Sequence, residues 1–432
     1  MIVLSEHTGY STKEPLCFSK EDKLNLDQKS FNRFFKRKLN DLQICYHINF
    51  DNDTNEYSFE SSYMVGVDWV VPNKVSIQVI PKLNKEETEI NFLAMLFEAL
   101  EETENLKHLE GVCEIDFKSP KIPIEQKQDV LTPLLVIQFL SVLQSIIKKG
   151  LKKSYYKVEE NLNGNVKGKI NIANTIKQNH SRAKLQFTNC SYDEFGLNSL
   201  ENKVLKKALL FSKEILNKYL FLKENHTGLI NFVSSSFENI SSEVSIKEIK
   251  NRRKNRFYKE YDTALTLAEQ ILKKYDYNIT KTSEIIKETY PFWIDMSKLF
   301  ELYVFKKLRE IYPKKGEITY HKKFHGLEPD YLLNTEENGN KAKMIIDAKY
   351  KPKYKDSNIY LADARQVSGY ARLKSIYTEF ELKGNKELID CLIVYSDQSL
   401  SYDIPFIELF NNKKEDGKYL QLYKVGVKLP EI

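Results

Sequence analysis

Asp330, Asp347 and Lys349 have the residue types and the setting of a metal-assisted hydrolytic site. Asp330 closes the tripeptide Glu-Pro-Asp, and Asp347 and Lys349 belong to Ile-Ile-Asp-Ala-Lys further along. Two converging carboxylates suit Mg²⁺, which takes hard oxygen ligands and keeps waters that it can exchange for a substrate phosphate. A neighbouring lysine can orient an attacking water and add positive charge where a phosphoryl transition state gathers negative charge. An Asp-x-Lys tripeptide by itself is weak evidence. On an edge strand the same pair would be a surface ion pair adding about 0–1 kcal/mol.

The elements around the three residues strengthen the catalytic reading. The stretch from Glu328 to Lys351 reads as two strands joined by a loop holding Asn338 and Gly339, with Asp330 on the first strand. Alternation puts Met344, Ile346, Ala348 and Tyr350 on one side of the second strand and Ile345, Asp347 and Lys349 on the other. A hairpin of this kind can bring Asp330 beside Asp347. A helix precedes it, N-capped by Asp295 and stopped at Pro313, with an apolar stripe of Met296, Leu299, Phe300, Tyr303, Val304, Leu308 and Ile311. Glu301 borders that stripe, where it either looks into the site or is an ordinary solvent-facing glutamate. Gln366 and Tyr370, four apart, share a face of the next helix. The bland alternative for that pair is an exposed glutamine beside a core tyrosine. Asp390 to Asp397 then reads as a buried strand extending the sheet.

Upstream, residues 41–83 carry short β-branched and aromatic runs with a turn at Pro72-Asn73, and Ile90 to Glu102 reads as helix. Lys29 to Leu39 is expected to form a short basic helix, and Lys118 to Asp129 a linker. Leu131 to Ile147 is the most apolar run but falls short of the roughly 20 residues that span a bilayer. It is expected to be a buried helix with Thr132 as N-cap and Gly150 near its end. A β portion with turns at Gly164 and Gly168 follows, then long amphipathic helices from Asn198 and over Tyr258 to Tyr275. Between those helices Arg252, Arg253, Lys254 and Arg256 lie in a basic run with Phe257 and Tyr258. That run either neutralises phosphates, with salt-dependent affinity, or is a solvated helix face.

These segments predict an α+β chain in three parts: a β-rich domain over 1–125, a mainly helical domain with a β segment over 126–290, and an α/β domain with a mixed central sheet over 291–432. The chain has 432 residues, 41% of them apolar and 29% charged, which excludes a disordered or fibrous class. A net charge of +6 leaves any basic surface local. Five scattered cysteines without a C-x-x-C pair fit a reducing cytoplasm, and the first residues, MIVLSEHTGY, have no signal-peptide pattern. No membrane partner is expected.

The Asp330, Asp347 and Lys349 pattern resembles the PD-(D/E)XK nuclease motif, and Gln366 to Tyr370 resembles the Q-x-x-x-Y element of one branch of that superfamily. VGVDWVVPNKVSIQVIPKL, NSLENKVLKKAL, NRFYKEYDTALTLAEQIL and WIDMSKLFELYVFKKL, in this order, look like McrC, the nuclease subunit of McrBC-type (5-methylcytosine-specific) restriction systems. The likeness runs in blocks from about Tyr63 to Leu429. It implies a restriction-endonuclease-like fold, with Asp330 and Asp347 as Mg²⁺ ligands and Glu301 as a possible outer one. It further implies that Lys349 assists the attacking water, while Gln366 and Tyr370 support the site or the DNA.

The resemblance also implies a partner. The portion from Met1 to about Tyr290 would dock on a McrB-like hexameric AAA+ GTPase, which binds GTP and recognises modified double-stranded DNA. This chain has no G-x-x-x-x-G-K-[ST] loop, so GTP belongs to that partner. Two other readings stand beside this one: a stand-alone repair-type nuclease cutting with Mg²⁺ alone, and a non-catalytic adaptor that docks on a AAA+ ring and grips DNA.

Overall fold

The computed structural model describes residues 1–432 except 10–14, 20–29, 39–40, 85–87, 101, 109–110, 117, 124–130, 219–226, 245–258, 281–287, 338–339, 352–358, 383–386 and 402–403. It divides into two compact units, one formed by Met1–Leu131 with Ile285–Ile432 and the other by Thr132–Glu284.

The first unit opens with β1 (Ile2–Ser5), β2 (Leu16–Ser19), β3 (Phe31–Lys38), β4 (Asp41–Asp51), β5 (Glu56–Ser61), β6 (Met64–Val71), β7 (Val75–Ile80), α1 (Phe92–Leu100), β8 (Cys113–Ile115) and β9 (Ile122–Pro123). The segment expected to be a basic helix is β3, paired antiparallel with β4. Phe35, fully buried in the core beneath the sheet, outweighs the helical preference of the lysines around it. Within the expected linker, Ile122 and Pro123 pair with Thr289 and Glu288, while 124–130 lie outside the described residues.

The second unit holds α2 (Leu131–Lys149, its first residue counted with the first unit), β10 (Ser154–Asn163), β11 (Lys169–Ile170), α3 (Ile172–Gln178), β12 (Phe187–Gly196), α4 (Leu200–Lys218), α5 (Thr227–Ser236) and α6 (Lys259–Thr280). The helix α2 begins at Leu131, just ahead of the expected cap, and Gly150 follows its end with a φ of 90°. Inside the unit, the buried Asn202 side chain donates to Lys152 O (2.9 Å) and Leu197 O (2.8 Å), and Tyr261 donates its hydroxyl to Asn202 Oδ1 (3.0 Å). Among the described residues no helix is long and apolar enough to cross a membrane.

The chain then returns to the first unit with β13 (Glu288–Thr289), β14 (Phe292–Asp295), α7 (Met296–Ile311), β15 (Ile318–Tyr320), β16 (Tyr331–Glu337), β17 (Asn340–Lys349), α8 (Leu361–Tyr370), α9 (Lys374–Glu379), β18 (Asp390–Ser396), α10 (Phe406–Asn411), β19 (Lys414–Glu415) and β20 (Leu422–Val427). A six-stranded sheet has the order β15-β16-β17-β18-β20-β19. It is mixed: β17, β18 and β20 run parallel, while the remaining pairs are antiparallel. Ile345, Leu332 and Ile393 form one core with Val367 and Tyr370 of α8 and Ile376 and Tyr377 of α9. On α7, the Phe305 ring stacks with Tyr320 and Tyr331 of the sheet.

One short strand joins the amino-terminal sheet to this carboxy-terminal one. β14 lies between β6 and β8 in the order β1-β7-β6-β14-β8, and α7 continues from it without a loop. Trp293 on β14 is 1% exposed, and its indole N–H donates to Asp68 Oδ2 (3.0 Å). Asn105, fully buried, donates to Ala99 O at the end of α1 (2.7 Å) and to Leu302 O on α7 (2.9 Å). Gly66 makes the strand's approach possible, because a Cβ there would stand 2.0 Å from the Phe292 carbonyl oxygen. Gly66→Ala must therefore push backbone against backbone. Urea unfolding of the variant is expected to show a loss of about 1–3 kcal/mol, the usual cost of overpacking; unchanged stability would mean that β6 and β14 separate freely.

Candidate active site

Asp330, Asp347 and His321 are brought into register by two consecutive antiparallel ladders. Tyr331 pairs with Ile346, so the next position of that ladder sets Asp330 across from Asp347. Tyr320 pairs with Tyr331, and the ladder runs on through His321 N–H donating to Asp330 O (2.9 Å). Asp330 Oδ2 accepts from Ala348 N–H (2.8 Å), which ties the first strand's carboxylate to the second strand's backbone. Glu301 arrives from α7. The Asp295 side chain caps that helix by accepting from Lys298 N–H (3.0 Å).

Asp347 is the unusual member. β17 is an interior strand of the sheet, flanked by β16 and β18, and Asp347 is 0% exposed. The edge-strand surface pair considered from the sequence therefore does not apply. Among the described residues its carboxylate oxygens meet no hydrogen-bond donor apart from the Lys349 ammonium, whose Nζ stands 2.7 Å from Oδ2. Burial pushes the Asp347 carboxyl up, and the charge of Lys349 only partly offsets that. Asp330 is held well above the usual carboxylate range by burial first, then by the charges of Asp347 and Glu301. For Lys349 burial works against the ammonium, but Asp347 and then Asp330 more than compensate and its pKa rises. The lysine is a fixed cation at neutral pH.

A second group of side chains leads outward from that lysine. Its Nζ donates to Gln366 Oε1 (3.0 Å), and Gln366 Nε2 donates to the Tyr370 hydroxyl (2.9 Å). Gln366 is exposed and Tyr370 belongs to the core, as the bland alternative supposed, yet the two side chains still meet in one hydrogen-bonded row with Lys349. Nearby, Lys351 bridges to the largely buried Asp363 (2.8 Å).

Glu301 is half-buried and faces the sheet. Its Oε2 lies 3.0 Å from His321 Nε2 and accepts from the Tyr320 hydroxyl (3.3 Å), while its backbone carbonyl accepts from Tyr331 (2.5 Å). His321 Nδ1 lies 3.2 Å from Glu328 Oε1. Burial lowers the imidazole's pKa, but Glu301 and then Glu328 leave it raised overall. Donor atoms of Glu301, His321 and Asp330 all lie within 4.8 Å of one another, the one such three-residue set among the described residues.

His321, Glu328 and Tyr320 were not anticipated from the sequence. The available signal was strand pairing: a third strand laid against the first would have set His321 beside Asp330. Arg252, Arg253, Lys254 and Arg256, expected to contact DNA, lie outside the described residues.

The donor set fits a divalent cation. Glu301, His321 and Asp330 offer donor atoms within reach of one ion, and the fully buried Asp347 carboxylate stands across from Asp330 on the next strand. The stability consequence has a definite sign. A carboxyl whose folded pKa is raised contributes stability that is fully present below its unfolded value, near pH ~3.9 for Asp, and is lost as pH rises through the folded value. In chelator, Asp330→Asn should therefore melt about 2–4 °C above the native chain at pH 7.5, with the gap closing toward pH 4. Scanning calorimetry at the two pH values checks this, and an equal gap at both would remove the buried-charge account.

Residues 62–380 match a family model described as McrBC 5-methylcytosine restriction system component. Among solved structures, the chain is similar to a half-complex of Thermococcus gammatolerans McrB AAA+ hexamers with bound McrC. That likeness has 16% identity and a TM-score of 0.34, covering 88% of this chain and 80% of the other. It is also similar to the Thermococcus gammatolerans McrBC complex, at 17% identity and a TM-score of 0.26, covering 73% of this chain and 89% of the other. No curated protein matches the chain.

Proposed function

Since the chain belongs to the McrBC 5-methylcytosine restriction system component family, we propose that it is the system's Mg²⁺-dependent endonuclease subunit, hydrolysing DNA phosphodiester bonds when engaged by a McrB-like hexameric AAA+ GTPase. The observation that carries this reading is Asp347, a fully buried carboxylate set across from Asp330, with the Lys349 ammonium 2.7 Å away as its polar neighbour. A protein gains little in stability from such a group, because one lysine does not repay the desolvation of two adjoining carboxylates. A cation held there offsets that cost.

In this reading the domain is of the PD-(D/E)XK type, and Asp330, Asp347 and Glu301 hold the Mg²⁺. A bound Mg²⁺ would supply a Lewis acid for the phosphate oxygens and neutralise charge that accumulates on them. The chain's own side chains do the rest. Lys349, beside Asp347 and bonded to Gln366, would orient the attacking water and add positive charge at the scissile phosphate. Gln366 accepts from the lysine's ammonium and is braced by Tyr370, which limits the directions the amine can take.

The remainder of the chain would serve docking and DNA contact. In the second unit, Tyr155, Phe195 and Ile172 are exposed, and Tyr155 and Phe195 lie side by side on β10 and β12 with ring centroids 5.0 Å apart. Large exposed apolar side chains paired across neighbouring strands, as Tyr155 and Phe195 are, suit a protein partner. Arg252, Arg253, Lys254 and Arg256 are candidates for phosphate contacts on modified double-stranded DNA.

Asp347→Ala provides the test, because deleting a buried, poorly partnered carboxylate should not unfold the chain. With the partner GTPase, GTP, Mg²⁺ and methylated DNA, cleavage is expected to vanish while complex formation and GTPase stimulation persist. Lys349→Ala should lower the cleavage rate by roughly 10²–10³, the usual size for removing a transition-state donor. Unchanged cleavage by Asp347→Ala would overturn the assignment, and cleavage of equal rate without the partner would point to a stand-alone nuclease.

A further inference from the structure

Resting on the metal-dependent reading above, we infer that His321 is a direct ligand of the cation through Nε2, oriented by Glu328 at Nδ1, which makes the centre a mixed nitrogen and oxygen site that accepts Mn²⁺.

Three observations converge on this. The His321, Glu301 and Asp330 donor atoms already lie within 4.8 Å of one another, close enough to surround one ion. The carboxylate of Glu328 sits 3.2 Å from the opposite ring nitrogen. That is the outer partner a metal-bound histidine normally has: it fixes the ring orientation and the proton on Nδ1, leaving the Nε2 lone pair for the cation. The backbone adds a third element. His321 adopts a φ of 50°, and its N–H is clamped to the Asp330 carbonyl at 2.9 Å. The residue is thus tied by its own main chain to another proposed ligand.

The local charge balance points the same way. Glu301, Glu328, Asp330 and Asp347 gather around one imidazole and Lys349; Lys323 adds only a distant, exposed contact, 3.9 Å from Glu328. A simple histidine–glutamate ion pair would need one carboxylate, and it would leave Asp330 and Asp347 to share the single ammonium of Lys349. A divalent cation bound between the acidic groups and Nε2 accounts for the excess. Imidazole nitrogen among the ligands favours a first-row transition metal such as Mn²⁺ over Ca²⁺, which prefers oxygen alone.

The test uses the full chain loaded with Mn²⁺ and read by electron paramagnetic resonance, with spin-echo modulation reporting a coordinated imidazole nitrogen. The native chain is expected to bind Mn²⁺ with that modulation. His321→Gln should bind about tenfold or more weakly and lose the modulation, with circular dichroism checking that the fold persists. Glu328→Gln should keep the modulation but bind about tenfold more weakly, since it removes only the orienting partner; it keeps the test open if His321→Gln does not fold. Mn²⁺ bound by the native chain without nitrogen modulation would overturn the role of His321 while leaving the carboxylate centre intact. Failure of the native chain to bind Mn²⁺ at all would overturn both readings.

Discussion

The first unit is organised around the desolvation of Asp347. A carboxylate at the centre of a six-stranded sheet, 0% exposed and offset only in part by Lys349, opposes folding, and the surrounding packing must outweigh it. The sheet supplies that packing on both sides of the residue's own strand. Ile345 lies in the core shared with α8 and α9, and Met344 and Ile346, on the alternate side, are buried as well. The carboxylate is therefore held in place by its neighbours' hydrophobic burial together with one ion pair, to Lys349 at 2.7 Å. Its position is thus set by the fold before any cation arrives.

The amino-terminal strands contribute to the same site, although they contain none of the residues proposed to act chemically. β14 is hydrogen-bonded into their sheet, and its last residue, Asp295, caps the helix that delivers Glu301. On the other side, Glu6 is fully buried, accepting from Lys82 N–H (2.8 Å) and from the hydroxyl of Tyr350 (3.2 Å). Lys82 in turn donates to the Tyr350 carbonyl (2.5 Å). Tyr350 directly follows Lys349. Both Glu301 and the lysine are consequently anchored through residues far away in sequence, which explains how Met1–Leu131 and Ile285–Ile432 come to form one compact unit.

Local patterns made much of the carboxy-terminal region readable. Asp295 before an apolar stripe marked the start of α7, because a short oxygen-bearing side chain satisfies the helix's first free N–H groups. Strict alternation from Met344 to Lys349 assigned the two faces of β17, because strand side chains have a period of two. The same kind of reading failed at Lys29 to Leu39. There, basic residues at helical spacing suggested a helix, whereas Phe35 is drawn into a core that only partner strands create.

By itself the sequence determined the family and the elements around the site, and it singled out Asp330, Asp347, Lys349, Gln366 and Tyr370 as candidates, because each rests on residue type and short spacing. Only the tertiary structure placed His321 and Glu328 beside Asp330, buried Asp347 in the middle of the sheet, and joined the chain's two ends in one unit. The physical reason is the same in all three cases. Strand register, desolvation and long-range pairing depend on which segments meet across the sheet, and no window of neighbouring residues contains that information.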